Sequence, residues 1–179
     1  MNKSTINFLF FSLAATTWTA CSVDDDIIVC CFPPELITTV NVDLLSSSSA
    51  ATLTFQDIDG PGGNDGVTTG ATLSANTSYS FTTTFLNESV TPTEDVTVEV
   101  REEGTEHFVL YTSGALNFTF ALSDLDTDGN PIGLTGTLTT GDAGAGDMQL
   151  ILRHEPTKTS TGATGGETDI DVTFPITVE

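Results

Sequence analysis

The 179-residue chain holds two histidines, and each stands beside an acidic residue: Glu106-His107 and His154-Glu155. Alternating apolar and polar residues predict one strand over residues 107–111, opened by His107, and another over 148–154, closed by His154. If the two pair antiparallel, the start of one lies beside the end of the other, and both imidazoles meet at one rim. Glu103, Glu106 and Glu155 bring carboxylates to the same place. Two imidazoles with one or two carboxylates suit zinc or copper better than calcium, because nitrogen donors match borderline transition metals. A structural reading competes with this. His154 shares the parity of Leu150 and Leu152, as a half-buried histidine bonded to a backbone carbonyl would. The glutamates and Arg153 would then form surface ion pairs worth roughly 0–1 kcal/mol.

A second acidic constellation runs Asp124-Leu125-Asp126-Thr127-Asp128-Gly129-Asn130. Alternate aspartates followed by glycine resemble the opening of a calcium loop, with Asp124, Asp126 and Asp128 as oxygen ligands. The bidentate acid expected at the loop's last position is replaced by Thr135. The alternative is a hairpin turn built on Asp-Gly and Asn-Pro. Asp57, Asp59 and Asp65 in another glycine-rich loop admit the same two readings. Signs of catalysis are sparse: the chain has no Gly-x-Ser-x-Gly elbow, phosphate loop, His-Glu-x-x-His or dinucleotide glycine pattern. A non-enzymatic protein is the expectation.

The elements that must position these groups are strands. Val40, Val42 and Leu44 share one face; Tyr79, Phe81 and Phe85 alternate with Ser80, Thr82 and Thr84. Val96, Val98 and Val100 read as a strand, although the acidic stretch 93–107 also admits a short helix. Leu116, Phe118, Phe120 and Leu122 form another face, and Ile170, Val172, Phe174, Ile176 and Val178 a last one. Pro175 within that run points to an edge or a bulge. With polar Gly, Asn and Pro turns between them, these segments predict an all-β fold. It would be a single immunoglobulin-like β-sandwich of about 8–9 antiparallel strands over residues 35–179.

Residues 1–20 read as a signal peptide: Lys3, a short apolar stretch over 6–15, then Trp18-Thr19-Ala20-Cys21. The break resembles the lipobox of bacterial lipoproteins, which makes Cys21 the lipidated residue and the membrane a partner through that lipid. The alternative is ordinary cleavage near Ala20, with Cys21 a plain thiol. Residues 21–34 form a tether with Asp24, Asp25, Asp26, Cys30, Cys31, Pro33 and Pro34. An acidic cluster directly behind the lipidated cysteine resembles the surface-export signal of Bacteroidetes lipoproteins. The expected location is therefore the outer membrane, facing the cell surface. A net charge of −21 excludes nucleic acid and anionic lipid surfaces, which would repel the chain.

The segments Leu73-Ser74-Ala75-Asn76-Thr77-Ser78-Tyr79, Gly129-Asn130-Pro131-Ile132-Gly133-Leu134 and Leu152-Arg153-His154-Glu155-Pro156, among others, resemble a family of small Bacteroidetes outer-membrane lipoproteins of unassigned function. That family often carries the label type 1 periplasmic binding fold. Such folds are two-lobed α/β proteins, and the alternating βα units they need are absent from this sequence. The resemblance implies a role beside an outer-membrane nutrient receptor and supplies no catalytic residues. The function expected from all of this is ligand capture, in its sharpest form a zinc or copper ion or a metal complex. The alternative is a structural or adhesive surface module contacting protein or glycan.

Overall fold

The computed structural model describes residues 36–179. The expected signal peptide and tether, with Cys21, Cys30 and Cys31, lie outside them. Alternation and burial coincide from the first strand, β1 (Thr39–Leu45), where Val40, Val42 and Leu44 are buried and Asp43 and Leu45 are exposed. A serine turn leads to β2 (Ala50–Gln56), held by the Ser46 hydroxyl accepting from the amides of Ser48 and Ser49. Then follow β3 (Val67–Thr69), β4 (Ala71–Leu73), β5 (Ser78–Asn87) and the two-residue β6 (Glu94–Asp95). After a helix, α1 (Val96–Glu102), come β7 (His107–Thr112), β8 (Thr119–Leu122) and β9 (Thr135–Thr139). The chain closes with β10 (Gly144–His154), β11 (Thr157–Thr159), β12 (Gly162–Thr164) and β13 (Glu167–Val178).

The strands make two main sheets. One runs β3-β2-β1-β5-β9-β8, with β6 added to β5; the other runs β4-β13-β10-β7. β11 and β12 pair only with each other. Side chains from both sheets enter one core, including Val42, Phe81 and Phe85 from the first and Leu150, Leu152, Val172 and Phe174 from the second. Each such side chain taken from water contributes roughly 1.5–3 kcal/mol, so this shared interior is what holds the sheets face to face. The all-β sandwich-like architecture matches the sequence expectation.

Four details differ from it. The run Val96-Val98-Val100 is helical, not extended. The Asp95 carboxylate accepts the Thr97 amide at 3.1 Å and caps the helix. Val96 and Val100, four residues apart, turn inward while Val98 is 46% exposed. Valine favours strands only weakly, and the cap together with burial at helical spacing outweighs that preference. Leu116 belongs to a 3-10 turn (Gly114–Leu116) that ends on Asn117 at φ 52°, so the strand there is confined to β8. The pairing is also not wholly antiparallel, because β4 runs parallel to the end of β13. Finally, several strands are only two or three residues long, so thirteen are present among the described residues in place of eight or nine. Pro175 sits opposite Asp147 of β10, immediately before the β4 pairing starts at Ile176. Its missing N–H is tolerated because β13 is still an edge at that point.

One buried polar link ties the sheets together. Tyr111 packs edge-on against Phe81, with ring centroids 5.1 Å apart, and donates its hydroxyl proton to the Gly133 carbonyl at 2.8 Å. The fully buried Thr83 hydroxyl therefore donates to Tyr111, across 2.6 Å. Burial pushes the Tyr111 hydroxyl well above its ordinary range, so it stays neutral. Replacing Tyr111 by Phe keeps the ring and strands both partners. Urea unfolding should then show a loss of about 1–3 kcal/mol with an unchanged slope.

Candidate metal centre

β7 begins at His107 and β10 ends at His154, and the antiparallel register places these two residues directly opposite each other. The same register pairs Val109 with Leu152 and Tyr111 with Leu150, so the histidines occupy the last rung of an inward-facing ladder. Their rings stack with centroids 4.8 Å apart and an interplanar angle of 14°. His107 is fully buried, whereas 23% of the His154 side chain remains accessible.

The third member is Asp169, on the other side of β10. Along β13, odd-numbered residues such as Asp171 and Thr173 face outward. Asp169 escapes that parity through a β-bulge. Leu152 pairs with Ile170 and Arg153 with Thr168, which leaves Asp169 as the extra residue. Bulges re-aim side chains in this way, and the Asp169 carboxylate ends up only 2% exposed. Its Oδ2 lies 3.9 Å from His107 Nε2 and its Oδ1 lies 3.7 Å from His154 Nδ1.

The imidazole roles follow from the neighbours. His107 Nδ1 stands 3.2 Å from the Glu103 carbonyl oxygen. A carbonyl only accepts, so Nδ1 carries the proton and Nε2 is the nitrogen that addresses Asp169. A hydrogen bond from the other ring nitrogen to a backbone carbonyl is the usual device for orienting a metal-binding histidine. A cation held by the cluster would place positive charge beside this nearly buried carboxylate. Zinc held at about 2.0–2.1 Å from each donor in a tetrahedron sets donor spacings of roughly 3.4 Å. Asp169 meets the two histidines through different oxygens, at 3.9 and 3.7 Å, and one donor atom from each residue lies within 4.8 Å of the others. The side chains would therefore draw in by up to about an ångström around an ion. Asp169 also lines a cleft of about 240 Å³, walled by Leu36, Ile37, Phe55 and Ile170 with Asp57.

Among the described residues, one donor atom each from His107, His154 and Asp169 gathers within 4.8 Å, and so does one each from Glu106, His154 and Glu155. Of the five residues expected from sequence, His154 meets His107 in the first group and Glu106 and Glu155 in the second. Glu103 is the exception: it contributes its backbone carbonyl, and its exposed side chain belongs to neither group. Asp169 was not among the expected ligands, because only a bulge turns it inward and no local motif announces one.

The aspartates of the 124–130 segment are engaged otherwise. Asp124 accepts the amides of Gly133, Leu134 and Thr135. Asp126 Oδ1 accepts those of Asp128 and Asn130, while its Oδ2 meets the Lys158 ammonium at 2.8 Å. Asp128 is exposed. These bonds build the turn and leave the three carboxylates outside any gathered donor group. Asp59 likewise accepts the backbone and side-chain amides of Asn64.

Lys158, which the sequence reading did not single out, proves central. From β11 it donates to the carbonyls of Gly104 and His107 while pairing with Asp126. It thereby fastens the first histidine's backbone to two loops. Gly104 itself packs against Ile132, whose Cδ1 would lie 2.6 Å from a Cβ at that position.

No protein family, curated protein or solved structure matches the chain. The site is therefore defined by its own geometry, as a two-histidine, one-carboxylate cluster at the rim of a β-sandwich.

Burial pushes the Asp126 carboxyl up, but the Lys158 ammonium and the amides of Asn130 and Asp128 outweigh it and hold the group below its ordinary value of 3.8. A depressed folded-state pKa means stability present at neutral pH and lost as pH falls below about 4. Asp126→Asn should lack that component of acid sensitivity. At pH 7 it should lose about 3 kcal/mol in urea titrations, because Lys158 keeps a buried charge without its counter-ion.

Proposed function

We propose that this protein is a non-catalytic ligand-binding module of the bacterial cell envelope that captures a zinc or copper ion at His107, His154 and Asp169. The observation that carries the reading is the convergence of two stacked imidazoles on one buried carboxylate, from three adjacent strands. Three protein donors leave a position open on a four-coordinate ion. That suits acceptance and release, or capture of a metal that already carries a small ligand. The strongly acidic surface would concentrate cations near the site.

The location belongs to the same proposal. A signal over 1–20, lipidation at Cys21 and an acidic tether would hold the domain at the outer membrane, with its face to the cell surface. There it would deliver metal to a nutrient receptor. Metabolic labelling with an alkyne fatty acid should tag the wild-type chain and leave Cys21→Ala untagged; labelling of both would remove the anchor from the reading.

A structural or adhesive role is the second reading, favoured by the outer face of the larger sheet. Thr52, Asp43, Thr82 and Thr135 stand in register across four strands, beside a row of Thr54, Asn41 and Thr84. Calorimetry decides between the two. Zinc or copper should bind the purified protein with a dissociation constant tighter than about 1 μM, or roughly 8 kcal/mol. His107→Ala and Asp169→Asn should each weaken binding by more than about 100-fold, beyond what losing an outer-shell partner costs. Binding that neither change affects would rule out the cluster and shift attention to the threonine face.

A further inference from the structure

We propose that Glu106, His154 and Glu155 form a second, outer metal subsite that shares the His154 ring with the inner one, so that the protein holds two ions. This deepens the reading above and rests on it. One ring nitrogen of His154, Nδ1, faces Asp169 at 3.7 Å. An imidazole carries its second nitrogen on the other edge of the ring, and both can ligate. The carboxylates of Glu106 and Glu155 come with His154 into a group whose donor atoms all lie within 4.8 Å of one another.

The backbone holds the two glutamates together. The Glu155 amide donates to the Glu106 carbonyl at 2.7 Å, continuing the β7–β10 pairing one residue past its last rung. Accessibility grades from outside to inside. Glu106 and Glu155 are exposed, the His154 side chain is 23% accessible, that of Asp169 is 2%, and His107 is fully buried. The two subsites also differ in donors. The outer one offers two carboxylates and one nitrogen, and neutralises a divalent ion. The inner one offers two nitrogens and one carboxylate, which suits copper or zinc. A neutral imidazole has one lone pair and one N–H, so ligating two ions requires the ring to lose that proton to solvent as the second ion binds.

The test is a titration of the full chain with copper(II), read by native mass spectrometry and electron paramagnetic resonance. The wild type should bind two ions and release one more proton for the second than an unshared site would. The resonance signal of the first ion should fall as the second enters, because the shared ring couples the two spins. Glu106→Gln/Glu155→Gln changes only exposed side chains, and circular dichroism checks that it stays folded. It should hold one ion with the full, uncoupled signal. Asp169→Asn should retain one ion, in the outer position. A wild type that binds a single ion, unaffected by the double glutamine change, overturns the outer subsite and leaves the inner one standing. Two ions bound alike by wild type and the double variant also overturn it. No copper bound by the wild type defeats the underlying metal reading itself.

Discussion

A one-residue slip of β7 against β10 would turn His107 to solvent and carry Val109 and Tyr111 out with it. The burial of Val109, Tyr111, Leu150 and Leu152 is therefore also what places the two imidazoles opposite each other. β10 is the common rail: β7 pairs along one side of it and β13 along the other. The apolar core fixes the register on both sides, and the polar cluster occupies the end of the same ladder.

The second constraint is charge. A chain with 25 acidic and four basic residues has little positive charge to neutralise what it buries. Lys158 is spent on Asp126 and two carbonyls, and Arg153 donates to the Thr168 hydroxyl beside the bulge. Asp169 stands within 3.9 Å of both histidines, where a cation held by them would lie beside its carboxylate. Lys158 links this electrostatic arrangement to the geometry, because the carbonyl it grips belongs to His107.

The acidic loops show how the same residue type serves different ends. Asp124 and Asp126 accept backbone amides and stabilise a turn, as short carboxylate side chains commonly do. Asp169, with a similar neighbourhood in sequence, becomes part of a buried cluster only because β13 carries one residue more than β10 at that point.

Period-two patterning alone determined the all-β class, most of the core and the two strands that carry the histidines, because side-chain direction in a strand depends only on parity. It also made the meeting of His107 and His154 a reasonable expectation, conditional on antiparallel pairing. Tertiary structure decided the rest. Helix α1 formed where valines alternate, because an aspartate cap and burial at Val96 and Val100 outweigh weak intrinsic preference. Asp169 joined the site through a bulge, Glu103 left it as a side chain, and Lys158 came from a distant hairpin to hold it in place. Each of these depends on contacts between residues far apart in the chain, and local periodicity carries no information about them.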